Sequence, residues 1–418
     1  MSAAQRASAL APFQVRSFRF QWPADLCASF AFEMESIILA WYVLVETRSV
    51  FMLSLYVSMH HLGTLLGPIL GVVGDRVGQG NTLCAMRGIY TCTAATLLVC
   101  VLTGVLNPII VLIIAAVTGM VRPSDIGMRN AVISEIMPPN HLMSAAGIQR
   151  TTQDLARIFG AITGAGVVAA LGMAPAYIAI CSLYAASTML TRHAGRVRIA
   201  LQAGAAKIVR ASPWKELKEG MVYTWKTPHI KGVMCLALVL NASAFPIFMA
   251  LLPYVAKEVY QADQTTLGFL VASGSCGALL GSMLVSRFSS MVNPARLMIV
   301  GASGWFVMLI VFAQMTDPLW GAAALFFAGM SQASCLVPMT VILLKNTEPE
   351  YRGRVMGIRM LMIYSNMPGI LLFAPLVTSL GFTPTATIYC VLGLASAVLI
   401  AYSWREHFWH RGSLTNAR

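Results

Sequence analysis

Residues 296–315 read RLMIVGASGWFVMLIVFAQM, an apolar run whose single formal charge, Arg296, sits at its edge. An α-helix rises about 1.5 Å per residue, so about 20 such residues cross the roughly 30 Å hydrocarbon layer of a bilayer. The same ruler finds comparable stretches at 20–45, 51–73, 82–104, 107–128, 145–170, 173–191, 231–255, 265–286, 319–344, 356–380 and 383–403. Together they predict an all-α polytopic membrane protein with twelve transmembrane helices. The composition agrees. Of 418 residues, 57% are hydrophobic and 11% charged, against roughly 25% charged in a soluble domain. The mean hydropathy is +0.72. Such a chain has too little polar surface for water, and lipid accepts the apolar exterior.

The nine cysteines include Cys27, Cys92, Cys181, Cys276 and Cys390 inside apolar runs, with no C-x-x-C pair. They read as small hydrophobes, not disulfides or metal ligands, and no metal or cofactor is expected. Arg6, Arg16 and Arg19 lead directly into the first apolar run without a small-residue cleavage site, so no cleaved signal peptide is expected.

The net charge of +13 is distributed by side. Connections on one side carry Arg48 and Lys257; those on the other carry Arg76, Arg87, Arg287, Arg296, Lys345, Arg352 and Arg354. Basic loops face the cytoplasm, and an even number of spans then puts both termini there. The basic excess is a topology signal in a bacterial inner membrane, not a nucleic-acid footprint. The longest polar stretch, 192–230, divides the chain into a bundle at 1–191 and a second at 231–418. Within it Ser212-Pro213 is a helix start, and Trp214, Leu217, Met221 and Trp225 share one face. This predicts an amphipathic helix on the bilayer surface or against the bundle. The halves echo each other: Pro139 precedes Gly147 as Pro349 precedes Gly357, in corresponding loops.

After the second span the chain reads Gly71-Val72-Val73-Gly74-Asp75-Arg76-Val77-Gly78-Gln79-Gly80. Glycines three apart let helices approach closely, and Asp75 offers a carboxylate at the membrane edge. This stretch resembles the G-x-x-x-D-R-x-G-R-R signature of the major facilitator superfamily, with Gln79 and Gly80 in place of the last two arginines. Arg157 to Gly166 resembles that family's glycine-rich fifth helix of antiporters, with Ala161 where a proline is usual. Glu350 to Gly357 is similar to the loop before helix eleven in the drug- and siderophore-exporter branch, and Pro213 to Pro228 to that branch's central-loop helix. The resemblance implies two six-helix bundles and a cytoplasmic gating cluster. Gly71, Asp75, Arg76 and Gly78 match its motif, and Arg129 and Glu135 are carried by position.

Ionisable groups at membrane depth are costly and point to function. The first span carries Asp25, Glu33 and Glu35, with Asp25 close to the interface. The second carries His60 and His61, the fourth Arg122, and the fifth Asp154 and Arg157, which are spaced to pair. Carboxylates and imidazoles could carry protons, and Arg122 and Arg157 could hold a substrate anion or an ionised Asp154. The competing reading is static: a buried Asp154–Arg157 pair and histidines bonded to neighbouring helices. Spans seven to twelve offer only uncharged polar groups such as Asn241, Gln332 and Asn366. Phe245, Phe248, Trp305 and Phe373 could line an adaptable cavity there, or simply pack.

These readings favour a monomeric secondary transporter that binds a small-molecule substrate and protons and exports an amphiphile by alternating access. Uptake of an organic anion keeps the fold and changes the direction. A hard-metal site at Glu33, Glu35, His60 and His61 has no recognised ligand spacing. A lipid scramblase or membrane receptor is the reading from another class. No nucleophile elbow, phosphate-cradling loop or zinc-protease pattern suggests an enzyme.

Overall fold

The computed structural model describes residues 11–64, 73–74, 76–138, 141–199, 213–288, 292–348 and 351–405, with side chains omitted for 64, 143, 195–199, 213–217 and 352–353. The described residues are helical, with no strands. Among the described residues eleven helices are long and apolar enough to cross a membrane, and a shorter apolar helix, Val50–Met59, stands between the first two of them.

In the first half α1 spans Arg16–Thr47, α2 Val50–Met59, α3 Gln79–Leu102, α4 Pro108–Ile136, α5 Leu142–Leu171 and α6 Met173–Ile199. The second span was expected over 51–73. Its α-helix ends at Met59, a 3-10 turn follows at Leu62–Thr64, and residues 65–72 lie outside the described set. The fourth helix runs eight residues past the expected 128, and the sixth eight past 191, because polar residues near a bundle's end still find helical partners inside it.

α7 spans Pro213–Lys226 and α8 begins at Pro228. Beyond Val239, α8 continues through π-helical turns at Leu240–Ala244, Pro246–Ala250 and Val255–Val259. Pro246 and Pro253 lack the N–H that an α-helical ladder requires, and the widened turns absorb the defect. α9 is Gln264–Phe288, α10 Pro294–Gln314 and α11 Pro318–Lys345. α12, Arg352–Met362, passes through a 3-10 turn into α13, Asn366–Leu380, and α14 is Phe382–Ser403. Gly147 and Gly357 each stand sixth in their helices, while their partner prolines, Pro139 and Pro349, lie outside the described residues.

Three spanning helices start on one device. Asn107, Asn293 and Asp317 each accept a backbone N–H with their side-chain oxygen, from Ile110 at 3.0 Å, Ala295 at 2.9 Å and Leu319 at 2.8 Å. A proline follows each at the first helical position, where its missing N–H costs nothing.

The chain forms two compact units: Met1–Thr47 with Met59–Val209, and Arg48–Ser58 with Arg210–Arg418. In the first, α1 packs against α4, α5 and α6, and α3 against α4 and α6. In the second, α11 packs against α9 and α10, α10 against α14, and α7 against α12. Trp305 is fully buried there, with Phe245 and Phe248 edge-on at 5.0 and 5.8 Å. Phe373 is buried against Tyr389 at 4.7 Å. Phe248, Trp305 and Phe373 therefore build the core of this unit, in the edge-to-face geometry ring quadrupoles favour, rather than lining a cavity.

Candidate functional site

The charged groups of the first unit form two sets. The deeper one joins three helices. Asp25 of α1, Arg87 of α3, and Asp125 and Arg129 of α4 are each no more than 1% exposed. Arg87 pairs with Asp25. Arg129 pairs with Asp125 at 2.7 Å, one helical turn away. Longer cross-contacts, Arg129 to Asp25 at 3.9 Å and Arg87 to Asp125 at 4.0 Å, close a ring of alternating sign. Two carboxylates and two guanidinium groups cancel, so the set carries no net charge into the bundle. Neighbouring side chains add to the ring: Arg129 donates to Ser29 at 2.7 Å, Arg87 donates to Thr191, and Gln21 donates to Asp25 at 2.8 Å, while the Nε of Arg87 and of Arg129 have no hydrogen-bond partner. A small pocket lined by Ser17, Gln21, Thr191 and Ala194 among others lies beside the ring's hydrogen-bond partners Gln21 and Thr191.

Sequence reasoning placed Asp25 at the interface and Arg87 among loop charges; both are wholly buried inside helices. It passed over Asp125, which lies inside the expected span 107–128, because closing that span at 128 left Arg129 outside it. A helix running to Ile136 makes Asp125 and Arg129 an i,i+4 pair within a span, and that spacing was the available signal. Arg129 does join a charge cluster, but its partners are Asp25 and Asp125. Glu135 lies exposed near the end of α4, outside the ring. Of the signature residues, Gly71 and Asp75 fall outside the described residues. Arg76 is exposed, and Gly78 has φ +98°, a backbone that side-chain-bearing residues rarely adopt.

The second set sits around the middle of α1. Glu35 is 7% exposed, and Tyr184 of α6 donates a hydrogen bond to one carboxylate oxygen at 2.9 Å. Its other oxygen is buried without a hydrogen-bond partner. Among the described residues no lysine, arginine or histidine nitrogen lies within 4.0 Å of it. Glu33 points elsewhere, toward Arg157 of α5 at 3.6 Å, and this pair is partly exposed. The expected Asp154–Arg157 pair does not form. Asp154 pairs instead with Arg150 at 3.3 Å, one turn earlier on α5. Arg157 is free to cross to α1 because α5 comes close there. A Cβ added to Gly164 would stand 2.8 Å from the Met34 Cα, and one on Gly160 2.9 Å from the Glu33 Cβ. The glycines of the fifth-helix stretch thus set the distance between α1 and α5.

Arg122 stacks on the Phe32 ring, with its guanidinium carbon 3.3 Å from the centroid, and His60 meets the same ring edge-on at 5.6 Å. One Arg122 nitrogen is buried without a hydrogen-bond partner. Glu33, Phe32, His60, His61, Arg122 and Arg157 are all half-buried, so this set, unlike the ring, is reachable from outside the unit. Among the described residues no group of three or more His, Cys, Asp or Glu is placed to hold a metal. Glu33 and Glu35 diverge, so the rival reading of a hard-metal site with His60 and His61 draws no support from their placement.

In the second unit Tyr351, at the start of α12, stacks on Tyr223 of α7 with centroids 4.3 Å apart and planes within 4°. Arg354 pairs with Glu219 at 3.1 Å, and the Glu348 N–H donates to the Tyr223 hydroxyl at 3.2 Å. The two stretches singled out in sequence, the central-loop helix and the segment before helix eleven, are partners in one clasp.

Known proteins give the same account of the architecture. An enterobactin exporter of Escherichia coli is 25% identical over 350 residues, covering 82% of this chain and 80% of its own length. The enterobactin exporter of Salmonella choleraesuis is 26% identical over 355 residues, with the same coverage. Among solved structures, a bacterial homologue of the human lysosomal transporter Spinster superposes with TM-score 0.72 at 11% identity, covering 95% of this chain and 99% of that one. A POT family transporter bound to a thioalcohol-conjugated peptide superposes with TM-score 0.75 at 10% identity, covering 94% and 97%. The family model described as Major Facilitator Superfamily matches residues 22–365 and again 234–416. Matched over most of its length and folded as its relatives are, the chain is a membrane transporter of the Major Facilitator Superfamily.

Proposed function

We propose that this transporter exports an amphiphilic small molecule by alternating access, coupled to inward proton flow through Glu35. The observation that carries the reading is the contrast between Glu35 and the ring. Asp25 and Asp125 each face two guanidinium groups, so losing either charge would strand a buried cation. Glu35 accepts from one tyrosine hydroxyl and, among the described residues, has no cation within 4.0 Å, with Arg122 acting on it only from farther off. Taking up a proton there removes an uncompensated charge from a low-dielectric site, and releasing it restores one. A group that differs in charge between two states of the carrier biases their populations. The Glu33–Arg157 pair and the stacked Arg122 lie close by on α1, α4 and α5, where a bound solute and the proton would sense each other. The outward direction draws support from the relatives named as exporters. The basic loops support a bacterial inner-membrane location with both termini in the cytoplasm.

The test is transport in proteoliposomes with an imposed pH gradient, using a panel of amphiphiles that includes enterobactin. Wild-type export should rise with the gradient. Glu35→Gln should still bind substrate and exchange it across the membrane but no longer respond to the gradient. Wild-type export that is the same with and without the gradient would reject the coupling.

The second reading, uptake of an organic anion, is favoured by the buried, unsatisfied Arg122 nitrogen, a ready donor for a carboxylate. It predicts thermal stabilisation by organic anions that is lost in Arg122→Gln.

A further inference from the structure

α7 has two faces, and the clasp occupies one. Glu219 and Tyr223 turn toward α12, where Arg354 and Tyr351 hold them. Gly220 and Thr224 are buried between them. A Cβ on Gly220 would stand 2.8 Å from that of Arg354, so the two helices are in close contact. On the opposite face Lys218, Val222, Trp225 and Lys226 are exposed, Val222 by 45% and Trp225 by 57%. At 100° per residue these four fall within one stripe about 100° wide. Lys231, in the first turns of α8, places its ammonium 5.4 Å from the centroid of the Trp225 ring. Glu219 borders the stripe next to Lys226 and is turned toward Arg354, which pairs with it at 3.1 Å, so the exposed stripe among the described side chains is basic and apolar.

Lys226 and Pro228 are separated by a single residue, and Pro228 opens a membrane-spanning helix. The stripe is therefore held at the level where that helix enters the bilayer. Indole is favoured at the headgroup boundary, and lysine stems reach along apolar surface while their ammonium groups seek charge. We propose that this stripe is a binding site for acidic phospholipid headgroups of the adjoining leaflet, with Trp225 and Val222 entering the interface and Lys218, Lys226 and Lys231 taking the phosphates. The clasp fixes the helix's rotation, so the stripe faces lipid without being ordered by it. The inference does not depend on the substrate or on proton coupling.

The full chain in nanodiscs tests it. Wild-type protein in discs containing phosphatidylglycerol should unfold at a higher temperature than in pure phosphatidylcholine, with the difference shrinking as salt is raised. The triple variant Lys218→Gln, Lys226→Gln and Lys231→Gln should match wild type in phosphatidylcholine and lose roughly half or more of the phosphatidylglycerol gain, on the scale of the attraction each juxtamembrane lysine adds. Brominated phosphatidylglycerol should quench wild-type tryptophan emission more than that of Trp225→Phe. An equal gain in the triple variant, or quenching unchanged by Trp225→Phe, overturns the site.

Discussion

The two halves of this transporter solve the same burial problem with different chemistry. The first stores charged side chains between its helices: Asp25, Arg87, Asp125 and Arg129 in a closed ring, Glu33 with Arg157 as a looser pair, Glu35 beside Tyr184 and Arg122 over Phe32. The second has no such network within its spanning helices α8 to α11 among the described residues, where Lys257 and Glu258, 4.0 Å apart at the end of α8, are neighbours in sequence. It is held instead by rings, with Trp305, Phe312 and Phe373 fully buried, and it relaxes its one proline-rich helix into π turns. Matched charges give little net stability, yet they make the arrangement intolerant of partial loss. Aromatic packing is graded and forgiving by comparison. The half with fixed charges is thus the half in which a single protonation event has a large effect.

Removing one member of the ring should break this contrast most visibly. Arg129→Ala leaves Asp125 and Asp25 with one guanidinium between them, at a cost of about 3–5 kcal/mol. The second unit offers the comparison: Asn241 donates only to the Ala237 carbonyl of its own helix, so Asn241→Ala should cost about 1 kcal/mol or less. Thermal unfolding in one detergent measures both. The double change Arg129→Gln with Asp125→Asn should recover much of the loss, since it removes a charge of each sign. A ring member as tolerant as Asn241 would mean that water reaches the network and that the halves do not differ in kind.

The approach of α1 and α5 comes next. Gly164→Leu drives a side chain into the Met34 backbone, and overpacking of this sort costs about 1–3 kcal/mol. Gly166, two residues on, has nothing within 4 Å of its Cβ position. Gly166→Leu should therefore leave the unfolding temperature near wild type. The variant at 164 should also displace Glu33 from Arg157, which a spin-label distance between α1 and α5 would register.

The spans themselves were plain in the sequence, because hydrocarbon admits only long apolar runs whose backbone bonds internally. The ring was not, and the reason is specific. Arg87 sits near the start of α3 and Asp125 late in α4, in the polar-tinged turns where helix and loop look alike. Only the third dimension shows that these turns lie beside Asp25. Two residues apart on a helix, Glu33 and Glu35 stand about 200° from each other, but their partners, Arg157 and Tyr184, come from helices more than 120 residues away. For Asp154 the sequence spacing points to Arg157 three residues on, and Arg150 four residues back is its partner. The glycines at 160 and 164 decide otherwise, by opening a path for Arg157 to α1.

Helix capping is where the halves should behave alike. Asn107→Ala in the first and Asp317→Ala in the second each remove one side-chain acceptor from a helix start and should each cost about 1 kcal/mol. Asp263 adds a pH signature. The Thr266 backbone N–H, bonded at 2.9 Å, holds its carboxyl below the usual carboxylate range. A carboxyl depressed on folding contributes stability above its unfolded pKa and loses it as pH falls through the folded one. The penalty of Asp263→Ala should therefore be full at neutral pH and fade under acid. Unfolding temperatures across pH 3 to 7, roughly the range in which carboxylates titrate, would show whether it does.

The smallest expected effect separates the two arginines of α5. Arg150 is 71% exposed while paired with Asp154, and exposed i,i+4 pairs contribute about 0.3–0.5 kcal/mol. Arg150→Gln should thus shift the unfolding temperature barely and leave transport intact. Arg157 spans two helices to reach Glu33, and Arg157→Gln should alter transport at equal expression even where stability changes little. Were the two substitutions to affect transport equally, the half-buried pair would be one more surface contact. The working chemistry of the first unit would then reduce to Glu35 and the ring behind it.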